Sequence, residues 1–458
     1  MKNTQRTTRF WRGAGALLLA SSVALAGCDT DELLEVEDPD TVNPGTLEDP
    51  ELIDIVVAGA VGEFTAAFSG GESYLTVSAL MSDELFASGS FTTRIATDRR
   101  EQFTAQNGNT SDGTYVDLQQ ARRALKDAAL DVEEVLGTGD DAYGRLKGLE
   151  GYTYLAFAEG YCSGVPISNV NPETAEFEYG MPTTTNELLT EAVAIFDAAI
   201  NSGGAYADLG AIGKGRALVN QGQYAAAATA VANVPTDFVY HVEHSDNAQT
   251  NSIFALQGNG RYSMSDMEGG AMNGLPFRSA NDPRVQWYED PAGGFDANFP
   301  LYVSEKYTSF GAPVPIASGI EARLIEAEAA LAGGQPGNMI TILNDLRSQV
   351  DDLMAVVQPD YTNEDGLTLD PLVDPGSDDA RVDLLFQERG FWLFLTGTRL
   401  GDLRRLVRDY GRSQDVVYPS GAYVQGGDHG GDVVFEIDFD EENNPNYTTA
   451  NCDVTTVN

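Results

Sequence analysis

The sequence predicts a mostly α-helical fold: antiparallel helix pairs with a loop-rich, minor-β half packed on them. Three observations lead there. Apolar residues recur at three- and four-residue spacing in both halves of the chain. The periodic runs are separated by short Gly- or Pro-marked turns, which makes successive helices antiparallel neighbours. Between the helical halves lies a long stretch of glycines, prolines and isolated aromatics with no period.

The N-terminus reads as an address. Lys2, Arg6, Arg9 and Arg12 precede an apolar, Leu/Ala-rich run from Ala14 to Ala26, the pattern of a secretory signal peptide over residues 1–27. The run ends in Leu25-Ala26-Gly27-Cys28, which looks like a bacterial lipobox and implies acylation of Cys28. Residues 28–48, with Asp29, Asp31, Glu32, Asp38-Pro39 and Asn43-Pro44-Gly45, have little to pack and are expected to form an extended tether. No later stretch offers the roughly 18 uninterrupted apolar residues of a spanning helix, so the expected attachment is through lipid.

The globular body is expected as one domain over 49–458, with helix pairs over about 49–235 and 316–410. Leu118, Ala121, Leu125, Ala128, Val132 and Val135 mark one helix, stopped at Gly137; Leu146, Leu149, Thr153, Ala156 and Phe157 mark its partner, ended at Gly164-Val165-Pro166. A third helix opens at Thr185 and closes at Gly203-Gly204. A fourth and fifth occupy Lys214 to Val234, broken near Gly222. There Gly222, Tyr224, Ala227, Val231 and Pro235 follow the rhythm of a tetratricopeptide hairpin, with Gly222 and Ala227 small enough to let helices approach.

Loop-rich inserts are expected over about 236–315, 351–379 and 411–458, the last containing a short strand at Val433 to Ile437. The first is too long for a passive connection, and long ordered loops on a rigid scaffold are where binding usually sits. Helices return at Ile320 to Leu331, Met339 to Leu346 and Val382 to Tyr410.

Charge and residue inventory exclude several functions. With 27 basic against 70 acidic residues among 458, the formal charge is −43, which repels nucleic acid. His241, His244 and His429 are the only histidines, and His241-Val242-Glu243-His244 lacks the spacing of a zincin. Neither a G-x-S-x-G elbow nor a phosphate-binding P-loop occurs. Asp438, Asp440 and Asn443 lack the Ca²⁺-loop spacing and its Gly. No catalytic residue, metal or cofactor is therefore assigned. Apart from Cys28, the cysteines are Cys162 and Cys452, which in an oxidising compartment are expected to form a disulfide.

The C-terminal helices carry motifs. Glu388, Arg389, Leu393, Gly397, Arg399, Asp402, Leu403, Arg404 and Arg405 stand at the spacing of E-R-R-x-E-L-x-F-E-G-x-R-W-x-D-L-R-R. Upstream lie Arg323-Leu324-Ile325-Glu326-Ala327-Glu328-Ala329, Leu343-Asn344-Asp345-Leu346-Arg347, Ser82-Asp83-Glu84 and Asp282-Pro283-Arg284. In this order the set resembles the SusD/RagB family of outer-membrane nutrient-binding lipoproteins. Gly390, Trp392, Leu395, Thr396 and Leu400 depart from the pattern, which leaves the helix intact and alters its local charge pairing.

The resemblance implies a lipid-anchored, surface-exposed protein that captures a nutrient such as an oligosaccharide and passes it to a SusC-like TonB-dependent transporter, making and breaking no bond. The competing reading is a helical periplasmic scaffold without a small ligand. The motif charges themselves read as scaffold ion pairs. A glycan or peptide binder needs aromatic faces beside hydrogen-bonding groups; the candidates are Trp287 and Tyr288 beside Arg284, and Phe86 and Phe91 after Asp83.

Overall fold

The computed structural model describes residues 50–102, 111–171, 174, 176–358 and 366–457, all within one compact unit that begins at Glu48. The leader, Cys28 and the tether lie outside the described residues.

The helices are α1 (Pro50–Ser69), α2 (Tyr74–Met81), α3 (Thr92–Asp98), α4 (Ser111–Val135), α5 (Asp141–Gly160), α6 (Thr185–Ser202), α7 (Ala207–Asn220), α8 (Tyr224–Val231), α9 (Ser252–Gly258), α10 (Gly319–Ala332), α11 (Pro336–Ser348), α12 (Val350–Val357), α13 (Asp378–Trp392), α14 (Arg399–Arg408) and α15 (Gln414–Val417). The strands are short: β1 (Leu85–Ala87), β2 (Val165–Pro166), β3 (Asn169–Val170), β4 (Phe177–Glu178), β5 (Pro182–Thr183), β6 (Val239–Val242), β7 (Tyr262–Met264), β8 (Trp287–Asp290), β9 (Leu301–Ser304) and β10 (Val314–Ser318). They pair only two by two, all antiparallel. The fold is thus mostly α with minor β.

Consecutive helices pack as hairpins: α4 with α5, α6 with α7, α7 with α8, and α10 with α11. The predicted stripe of α4 is the buried one, with Leu118, Ala121, Leu125, Ala128 and Val132 all inside. Helix α6 opens on a capping box, Thr184 accepting from the Glu187 amide while Glu187 reaches back to Thr184. Helix α1 contains an 18-residue window, Leu52–Ser69, apolar enough by composition to cross a membrane. Here it is a core helix: Ile53, Val57, Ala60, Phe64 and Phe68 are buried, and it packs on α4.

In the α7/α8 hairpin the glycine roles differ from the expected ones. Gly222 takes a positive φ of 70° in the turn and has open space around its Cα. The close approach is at Gly215, where a Cβ would lie 2.5 Å from Val231 Cγ1.

The 236–315 insert leaves and returns at one point, because β6 at its start pairs with β10 at its end, Val242 opposite Val314. Two expectations need correction. The polar insert expected from 351 begins with a helix, α12, whose Val350, Leu353, Met354 and Val357 are buried at helical spacing. The tail residues Val433 to Ile437 form no ladder strand. The Phe435 amide donates to Gly160 O and its carbonyl accepts from Cys162 N, while Val433 N donates to Val454 O, so each buried stretch finds a different partner.

Candidate functional site

The family-like motifs bolt loops to helices. Arg399 donates two bonds to Asp83, at 2.6 and 2.8 Å, and Asp83 in turn accepts from the Leu275 amide at 2.7 Å. Glu84 accepts from Leu395 N in the α13–α14 turn, and burial pushes its carboxyl up to about 8. Arg284 is held by Asp282 and by Glu388, which also accepts from Arg347. Asp83 is 0% exposed and Arg284 4%. These two therefore do not face a ligand as expected from sequence; their charges are consumed in fastening the 265–302 loops to α13 and α14.

The loops so fastened enclose a pocket of about 340 Å³. One wall is the β1–β7 pair, in which Phe86 lies opposite Ser263. Ser263 Oγ accepts from the Tyr302 amide at 2.8 Å, which brings β9 alongside. Phe86 and Tyr302 line the pocket, together with Asp266, Glu268 and Arg278. The Arg278 guanidinium lies 3.5 Å from the Tyr302 ring centroid and 5.5 Å from that of Trp287, and the two rings meet edge to face at 5.7 Å. Asp266 anchors the turn by accepting from the Arg278 and Ser279 amides.

Of the expected aromatics, Phe86 lines this pocket and Trp287 braces its Arg278–Tyr302 stack. Tyr288, next along β8, is 49% exposed. Phe91 belongs to a neighbouring surface cluster in which Arg261 lies over both Phe91 and Phe295 and Arg94 also lies over Phe91. Arg278, Tyr302, Asp266 and Glu268 carry no local sequence pattern that marks them. They meet Phe86 only through pairing across some 180–216 residues of chain, with β1 on β7 and β9 held beside them by the Tyr302 amide on Ser263.

Behind the pocket lies a pair of carboxyl groups. Glu268 is hydrogen-bonded to Asp98, and Asp98 accepts from Ala87 N and from the Tyr423 hydroxyl, both at 2.7 Å. Burial first, and for Glu268 also the neighbouring Asp98 charge, raise both carboxyls above the ordinary range. In the unfolded chain both ionise near about 4. The folded pair keeps a proton to higher pH, so its contribution to stability is complete in acid and is lost as pH rises toward neutrality. Glu268→Gln keeps a donor for Asp98 and removes one ionisation. Its melting temperature should equal the parent's at about pH 4 and below and exceed it by roughly 2 °C or more at pH 8; an offset that does not change with pH would refute the shared proton.

No protein-family model matches the chain, and no curated protein does. Solved structures do. NanU of B. fragilis aligns at 14% identity and TM-score 0.59 over 90% of this chain and 98% of its own. A SusD superfamily protein from Bacteroides fragilis aligns at 17% identity and TM-score 0.56, covering 83% of this chain and 93% of its own. A SusD-like carbohydrate binding protein from Bacteroides vulgatus aligns at 14% and TM-score 0.52, covering 77% and 82%. The fold is that of the SusD/RagB superfamily proteins.

Proposed function

We propose that this chain, on its SusD/RagB-like fold, is a non-enzymatic binding protein of the outer membrane. Anchored through Cys28, it captures an oligosaccharide or similar nutrient in the pocket between Phe86, Arg278 and Tyr302. It then passes the ligand to a SusC-like TonB-dependent transporter. The observation that carries the binding reading is the Arg278–Tyr302–Trp287 cluster, in which the guanidinium lies over the Tyr302 ring and Trp287 meets that ring edge to face, with Phe86, Asp266 and Glu268 beside it in a concave pocket of ligand size. It gains support from the carbohydrate-binding description of a structural neighbour.

Calorimetric titration of the whole chain with neutral hexasaccharides of the malto-, xylo-, manno- and fructo-series tests this. At least one sugar should bind without turnover, and Arg278→Ala/Tyr302→Ala should weaken it tenfold or more. Binding that ignores this double variant would remove the pocket from the proposal. Hydrolysis of the bound sugar would refute the non-enzyme part. Recovery of a TonB-dependent barrel with the lipidated protein from outer membranes checks the partner.

A further inference from the structure

A second cleft, about 730 Å³, lies elsewhere: its walls are α4, the β3–β4 hairpin and the 438–444 turn. Its floor is a continuous hydrogen-bonded chain. Arg122 Nε donates to Gln119 Oε1 (3.0 Å), Gln119 Nε2 to the Tyr115 hydroxyl (3.1 Å), the hydroxyl to Glu441 Oε1 (2.9 Å), and Asn444 Nδ2 to Glu441 Oε2 (3.3 Å). Its rim carries Phe177 and Tyr179, 56% and 48% exposed, with ring centroids 4.9 Å apart at 65°.

Arg122 is 2% exposed, yet among the described residues its hydrogen bonds run to neutral partners, Gln119, Asn169, Ser168 O and the Tyr154 hydroxyl. A buried guanidinium with no carboxylate on it is costly unless something else uses it. Opposite stand Glu63, Asp438, Asp440 and Glu441, none of them in an ion pair with another described residue. The carboxylates oppose an anionic ligand, and the central guanidinium opposes a cation.

We propose that this cleft is a second ligand site, for a neutral saccharide. A sugar ring presents an apolar C–H face that suits the exposed Phe177 and Tyr179 rings, and a rim of hydroxyls that both donate and accept. The floor supplies partners for both: Arg122 carries the donors and Glu441 with its acidic neighbours the acceptors, while both Gln119 Nε2 protons are spent on the Tyr115 hydroxyl and Pro166 O and hold the floor in place. The site is preorganised. Asn444 and Asn446 donate to Gly180 O and Tyr179 O, tying the turn to the hairpin, and the Cys162–Cys452 disulfide joins the base of one wall to the end of the other. The argument needs neither the smaller pocket nor the transporter.

The same hexasaccharide panel, titrated into the whole chain and into Phe177→Ala/Tyr179→Ala, is the test, with spermidine run in parallel as a cation probe. Both rings are exposed, so the variant should melt with the parent. At least one sugar should show a binding event weakened tenfold or more in this variant and unchanged in Arg278→Ala/Tyr302→Ala. If every sugar's Kd stays within twofold in Phe177→Ala/Tyr179→Ala, the second site is overturned, whatever the other variant does. Spermidine binding that this variant abolishes, with no sugar affected, would overturn it as well. If Arg278→Ala/Tyr302→Ala is silent while Phe177→Ala/Tyr179→Ala is not, the smaller pocket fails and this cleft stands.

Discussion

Asp402→Ala should cost about 3–5 kcal/mol of stability, more than truncating any single exposed residue. Asp402 is buried on α14 and takes two 2.8 Å bonds from Arg389 on α13 and a third, at 2.9 Å, from Arg405. Arg405 also donates to Glu328 on α10, and Arg389 lies 3.8 Å from the same carboxylate. Three helices therefore meet on two carboxylates and two guanidiniums. Burial alone would raise the Asp402 carboxyl, but the Arg389 and Arg405 charges hold it down at about 2.

Removing Asp402 leaves those guanidiniums buried with one carboxylate between them, and this orphaned charge is where the cost arises. The pair as a whole need not be strongly stabilising, because desolvation offsets most of its attraction. Asp402→Leu combined with Arg389→Met should therefore recover a large part of the loss. Urea denaturation of the single and double variants decides it: a loss below about 1 kcal/mol in Asp402→Ala would mean the charges are hydrated in the folded protein.

The low pKa also gives the network a pH signature opposite to that of the Asp98–Glu268 pair. A carboxyl held below its unfolded value contributes stability that is present above about pH 4 and lost as pH falls through about 2. Acid should release α13 and α14 from α10, whereas alkali should loosen the wall behind the smaller pocket.

What could be read from the chain followed from the range of the interactions concerned. The stripes of α4, α5, α6 and α10 repeat within a few residues, so their buried faces were visible in advance. Helix α12 escaped because a single two-turn stripe, Val350 to Val357, is short against the acidic and proline-marked chain around it. The misassigned role of Gly222 has the same origin: a motif says that some glycine sits at a close approach, but only the packed helices say that it is Gly215 against Val231. Sites suffer most. Asp83 and Arg399 are 316 residues apart, so nothing near Asp83 indicates that its charge is already spent. The larger cleft joins residues near 120, 178 and 441 that share no pattern, and none of its residues was among the expected ligand contacts.

Replacing both disulfide cysteines, Cys162→Ser with Cys452→Ser, should lower stability by about 2–4 kcal/mol. The two residues stand 290 apart with Cα atoms 5.2 Å from each other, so the bond closes a very long loop in the unfolded chain and leaves fewer conformations to be lost on folding. If this were its only effect, the folded double variant would keep native protection everywhere. The geometry argues for a local effect too. Cys452 follows the turn that forms one wall of the larger cleft, and that tail is otherwise held by scattered bonds such as Val433 N to Val454 O and Asn444 to Gly180 O. Without the disulfide, amides of residues 438–454 should exchange faster, while those of α4 and α5 and of the smaller pocket's β1–β7 pair keep their protection. Uniform loss of protection would assign the whole effect to the unfolded chain, and a stability change below about 0.5 kcal/mol would mean that the tail is secured without the bond.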